Sequence, residues 1–276
     1  MLRSLYSGVS GMRGFQTKLD VIGNNIANVN TIGFKAGRVM FSDILSQTVS
    51  GVTAPQEGTV GGVNAKQIGL GVSVAAIDTI HTPGSAMTTN VPTDVRIDGD
   101  GFFAVRPSDD LDGFYLTRAG NFTIDALGYL VNAEGMYVLN VNGEPIQIDT
   151  TVVRSFTIDK SGQLIARDAD GNAVPLDDAQ IGVVIVTNPG GLEKLGGNLY
   201  RLTPNAVEDP TAVEILPPNS AEDGTGAIIS GQLEMSNVDL TSEFTEMIVA
   251  QRGFQANSRI ITTSDEVLQE VVNLKR

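Results

Sequence analysis

The 276-residue chain carries 18 Lys plus Arg against 32 Asp plus Glu, a formal net charge of −14, with 41% hydrophobic and 5% aromatic residues. That apolar content suffices for a buried core, and the negative balance argues against binding a nucleic-acid backbone or an anionic membrane surface, both of which are held through Lys and Arg. Absence of Cys excludes disulfide scaffolds, thiolate metal sites and thiol nucleophiles, while 31 Gly and no Trp favour β-structure with tight turns.

Residues 1–14, MLRSLYSGVSGMRG, lack the unbroken apolar run of about 7–15 residues that a cleavable secretory signal needs, so no cleaved signal is expected. No window approaches the ~18 consecutive apolar residues of a membrane span, and no membrane insertion is expected. The same N-terminal stretch opens a helical pattern, with apolar residues at Leu2, Leu5, Val9, Met12, Leu19 and Ile26 in coiled-coil-like spacing. Residues 51–71, rich in Gly, Thr and Val, hold no period and read as an extended connector.

The middle of the chain reads as short β-runs, at residues 72–80, 94–97, 102–105 and 181–187. An internal echo sharpens this: FTIDALGYL, from Phe122, returns as FTIDKSGQL, from Phe156, an offset of 34 residues. In each copy Asp125 or Asp159 can bond its own backbone, and Gly128 or Gly162 supplies a positive-φ position, which predicts two hairpins. Residues 204–226 read as a second connector. A longer seam closes the chain through Leu240, Phe244, Met247, Gln251, Phe254, Ser258, Ile261, Asp265, Leu268 and Val272, with Asp239 as N-cap and Glu243 in the first turn. As one helix, residues 239–275 would reach about 55 Å. Narrow seams interrupted by polar residues do not stabilise lone helices of such length, so both ends need partners.

The fold class expected is therefore α+β: a discontinuous, coiled-coil-like unit of residues 1–35 with 236–276, connectors at 36–71 and 204–235, and a β-rich outer domain at 72–203. Catalytic chemistry finds little footing. His81, the single His, lies beside Thr82-Pro83-Gly84 and reads as a surface loop residue; no zinc-type spacing exists. Asp98-Gly-Asp100-Gly101 approaches a calcium loop, but Phe102 and Phe103 stand where an oxygen ligand and Gly belong, so a turn into a buried strand is the better reading. Asp168-Ala-Asp170-Gly171-Asn172 reads as a hairpin turn. Neither Gly61-Gly62 nor Gly69-Leu-Gly71 precedes a P-loop Lys-Ser or Lys-Thr. No catalytic, cofactor-binding or metal-binding residue is assigned.

The stretch LDVIGNNIANVNTIGFK, residues 19–35 with Asn24, Asn25, Asn28, Gly33 and Phe34, resembles the N-terminal signature of flagellar rod, hook and hook-associated proteins. Ser236-Asn237-Val238-Asp239-Leu240, then MIVAQRGFQAN from Met247 with Gln251 and Arg252, resembles the C-terminal helix of that family; residues 98–103 and 117–122 resemble its β-domain. Three Asn are poor helix-interior choices, so their side chains are expected to bond backbone or a neighbour.

The resemblance implies a structural protein and not an enzyme, needing no cofactor. It implies terminal helices forming an inner tube, a β-domain outside, and type III export without a cleaved signal. Leu5, Val9, Met12, Leu19, Ile26, Leu240, Phe244, Met247, Phe254, Ile261 and Leu268 are the residues expected to carry assembly. Partners implied are further copies of the chain, neighbouring rod and hook–filament junction proteins, the hook cap and the export apparatus. Within the family, the start, residues 246–252 and the VNLKR ending look closest to short hook proteins of Gram-positive bacteria, with the distal rod protein as the alternative. The hook reading makes residues 51–71 and 204–226 compliant elements, and a rod reading makes the polymer stiff.

Overall fold

The computed structural model describes residues 2–54, 61–107, 113–148, 153, 155–167, 173–174, 179–209 and 213–274. The Asp168–Asn172 turn and parts of both expected connectors lie outside them. The chain forms two compact units: a helical unit of Met1–Ala27, Gly37–Thr79 and Asp239–Arg276, and a β unit of Asn28–Ala36 and Ile80–Val238. With two terminal helices and a mainly β middle, the fold is α+β.

In the helical unit, α1 (Leu2–Ala27) packs on α2 (Leu240–Asn273). α2 starts at Asp239, whose side chain accepts from the Thr241 amide at 2.9 Å, and Glu243 sits in its first turn. Strand Gly37–Asp43 pairs antiparallel with Val72–Thr79, and Ser46–Ser50 pairs with Lys66–Gly69. Residues 37–79 are thus largely paired β-structure belonging with the helices, where the sequence suggested a loose connector and an outer-domain strand. The reason is local: Phe41 stacks on Phe15 of α1 with ring centroids 6.1 Å apart, and Gly14 clears the space for that ring.

The β unit centres on an antiparallel sheet ordered Glu193–Gly196, Leu199–Arg201, Tyr115–Thr117, Phe102–Arg106, Tyr137–Val138, Leu130–Val131, Thr123–Ile124, with Val183–Val184 also on Phe102–Arg106. Phe102–Arg106 is buried on both faces, because alternation sends Phe103 and Val105 to one cluster and Phe102 and Ala104 to the other. The first cluster gathers Val95, Ile97, Phe122, Leu130, Ile146 and Ile181; the second gathers Leu116, Leu139, Val184 and Tyr200.

Both echo copies are hairpins. Gly128 (φ +86°) and Gly162 (φ +71°) donate to Asp125 and Asp159 carbonyls at 2.9 Å each, and their own carbonyls accept from Ile148 and Ile181. Residues 181–187, read as one β-run, supply only the short strand Val183–Val184. Residues 204–235, expected to link, instead contribute Ala227–Ser230, paired with Val95–Asp98, and Gln232–Glu234, paired with Ala86–Thr88.

Candidate functional site

Two arrangements carry the motif residues, one in each unit. In the β unit, Lys35, Arg118 and Glu234 form a buried cluster with 0%, 4% and 1% side-chain exposure. Lys35 Nζ donates to Glu234 Oε1 at 2.5 Å and to the Thr82 carbonyl at 2.7 Å. Arg118 donates to Glu234 Oε2 at 3.2 Å and to the Gly99 carbonyl at 2.9 Å, and the Gly84 amide donates to Glu234 Oε1. Burial alone would raise the Glu234 carboxyl, but Arg118 and then Lys35 outweigh it and hold it below the usual carboxylate range. Burial pulls the Lys35 ammonium below its ordinary value, which Glu234 only partly restores.

Around this cluster the ends of three segments interlock. The Ala36 amide donates to Asn237 Oδ1 at 2.8 Å, the Ile80 amide to the Ala36 carbonyl at 2.8 Å, and Asn237 Nδ2 to the Ile80 carbonyl at 2.9 Å. Ala36, Ile80 and Val238 are positions at which the chain enters or leaves the β unit, so one Asn side chain ties three of its four crossings. Gly33 (φ +69°) donates to the Glu234 carbonyl at 2.8 Å, and a Cβ there would come within 2.7–2.8 Å of Ala119 and Arg118 backbone. Phe34 is buried beneath Lys194, whose Nζ lies 4.8 Å from the ring centroid and donates to the Lys35 carbonyl. Ser236 is buried and accepts from the Val238 amide.

In the helical unit, Asn25 is 1% exposed and accepts from the Gly37 amide at 3.0 Å while donating to the Gly37 carbonyl at 2.8 Å and to Glu243 Oε1 at 3.0 Å. This hub fastens the end of α1 to a strand and to the start of α2, and answers why an Asn stands inside a helix. Burial raises the Glu243 carboxyl above its ordinary value, against the Asn25 hydrogen bond. Asn28 caps the following turn, its Oδ1 accepting from Thr31, whereas Asn24, Gln251 and Arg252 are exposed, the last two on α2.

The helices contact each other in antiparallel rungs: Ser4 with Ser264, Gly8 with Ile261, Gly11 with Asn257, Phe15 with Gly253, and Lys18 with Glu246. Apart from Ile261, which belongs to the apolar seam read from the sequence, these positions keep heptad spacing one residue out of phase with that seam. The seam residues Leu5, Met12, Leu19, Ile26, Met247, Ile261 and Leu268 are half-buried, and Val9 (37%), Leu240 (39%), Phe244 (50%) and Phe254 (37%) are exposed. Small residues win the inner face because they let the backbones approach: a Cβ on Gly253 would sit 2.5 Å from the Phe15 ring, and one on Gly11 2.6 Å from Asn257 Nδ2.

Sequence reasoning assigned no role to Lys35 or Arg118, though both fall in motifs, and missed Glu234. The strand Gln232–Glu234 reads Gln-Leu-Glu, and nothing in it marks Glu234 as buried. His81 is not a surface loop residue: its ring packs against Phe102 and Tyr200, centroids 5.7 and 5.6 Å away, and its Nδ1 is buried. The aromatic neighbours are distant in sequence, so the flanking Thr-Pro-Gly misleads.

Three family descriptions match the segments that carry these features: flagella basal body rod protein over residues 5–35, the D1 domain of flagellar hook protein FlgE/F/G over 96–166, and the C-terminal part of the flagellar basal body rod FlgEFG protein over 229–274. The helix pair and the β unit with its clamp are thus those of a flagellar axial structural protein, a class of rod and hook components and not of enzymes. The flagellar basal-body rod protein FlgG of Bacillus subtilis (strain 168) is 56% identical over all 276 residues, covering both chains completely. FlgG of Borreliella burgdorferi is 36% identical over the full length of both chains, and the flagellar hook protein FlgE of the same organism is 30% identical across an alignment of 451 residues. The chain belongs to the FlgE/F/G family of flagellar rod and hook proteins.

Proposed function

We propose that this chain is a subunit of the distal rod of the flagellar basal body, polymerising into a stiff helical tube that serves as a drive shaft. One observation carries the choice of rod over hook: the chain is collinear over 276 residues with a basal-body rod protein at 56% identity, whereas hook relatives need alignments of 451 and 474 residues to accommodate their additional sequence. The hook reading drawn from the motifs therefore gives way to its alternative. The strand Lys66–Gly69, inside the 51–71 stretch where a compliant connector was expected, is paired with Ser46–Ser50, which favours stiffness as well.

Polymerisation is supported by what the helical unit leaves exposed. Its inner helix contact uses Gly, Ser and Asn beside Phe15 and Ile261, and Val9, Leu240, Phe244 and Phe254 of the apolar heptad stay exposed for neighbouring copies. A heterologous contact between copies whose rotation does not close builds a helical tube. Adjacent rod and hook proteins are the remaining partners, and the flagellar type III apparatus is the export route, with no cleaved signal. Electron microscopy of basal bodies from a deletion strain tests the reading. Rods truncated before their distal end are expected; complete rods lacking only the curved segment would return the assignment to the hook.

A further inference from the structure

His81 sits where the clamp has no capacity left for another charge. The Pro189 carbonyl accepts from its ring, while Nδ1 is buried with no hydrogen-bond partner among the described residues. Phe102 and Tyr200 flank the ring. The groups facing it come from four other segments: Lys35 from Asn28–Ala36, Arg118 after strand Tyr115–Thr117, Lys194 on Glu193–Gly196, and Tyr200 on Leu199–Arg201. The sole carboxylate of the cluster, Glu234, is already taken by Lys35, Arg118 and the Gly84 amide.

We propose that His81 is an acid release for the clamp: a proton taken up at Nδ1 opens the packing that holds the Lys35 and Asn237 segments, and its loss restores it. The added N–H⁺ would have no acceptor and would face three cations, so the protonated ring is accommodated only by moving out toward water. Burial, then Lys35, Lys194 and Arg118, lowers its pKa from 6.5 to about 4. A base whose pKa is depressed on folding binds fewer protons folded than unfolded, so the closed clamp loses stability as pH falls from 6.5, and the loss is complete below about 4. Arg118 and Lys35 hold the Glu234 carboxyl below the usual carboxylate range, which favours its charged form.

Because His81 is the single His, its imidazole can be followed without assignment by NMR on the full-length monomer. Expected are a midpoint near 4 and, in native-state hydrogen exchange, an opening equilibrium for the Gly33 and Ala36 amides that rises on the order of 10²-fold from pH 7 to pH 4. In His81→Gln this rise should be absent. A wild-type imidazole titrating near 6.5, or the same rise in His81→Gln, overturns the proposal. Should the variant fail to fold, the wild-type titration alone decides.

Discussion

The two units solve opposite problems with the same chain. In the β unit, Phe103, Ile97, Leu116, Leu130, Ile181 and Ile228 are each no more than 1% exposed, and burial of one such side chain contributes about 1.5–3 kcal/mol. In the helical unit, Ile22 and Ala250 are the buried apolar residues among the described ones, although α1 and α2 span 26 and 34 residues. Helices this long gain their stability from packing an apolar face, and this pair keeps Phe244, Ile248, Val249, Val267 and Val271 exposed. The lesson is a division of labour: the β unit holds the larger buried core, and the helical unit leaves many of its apolar side chains exposed.

The sharpest way to break the comparison is to damage the β unit's own support. Glu234→Ala strands Lys35 and Arg118 without their carboxylate, and should cost about 3–5 kcal/mol in denaturant unfolding of the monomer. A loss below about 1 kcal/mol would mean that the cluster is hydrated and not a clamp. Within the helical unit, Gly253→Val drives a side chain into Phe15, and should lower helical circular dichroism with a cost of about 1–3 kcal/mol. The same substitution should leave β-unit amide protection unchanged. Asn25→Ala removes both hydrogen bonds to Gly37 and should cost about 1–3 kcal/mol, read by the same titration. Smallest in the monomer and largest in assembly, Phe244→Asp should shift monomer stability by no more than about 0.5 kcal/mol, yet abolish polymer in a sedimentation assay. Normal polymer from that variant would remove Phe244 from the assembly face.

Much of this was legible in the sequence because it rests on local rules. Gly128 and Gly162 announced their hairpins through turn chemistry, and Asp239 announced the start of α2. The heptad periods of both helices were also visible. What periodicity could not show was which of two adjacent heptads faces inward, since apolar content favours Leu5 and Phe254 while the structure packs Gly8, Gly11 and Gly253. Close backbone approach leaves no hydrophobic signature. Lys35, Arg118 and Glu234 were hidden for a different reason: they meet only when three distant segments converge, and each alone resembles an ordinary surface charge. His81 was misread because its aromatic neighbours come from elsewhere in the chain.

Amide hydrogen exchange of the free monomer beside the assembled polymer tests the division of labour most directly. The account predicts strong protection of Phe102–Arg106 and its sheet neighbours in both states, with α1 and α2 protected far more weakly in the free monomer than in the polymer. Equal protection of the two helices in the free monomer would contradict it, because the helical unit would then be complete without neighbours.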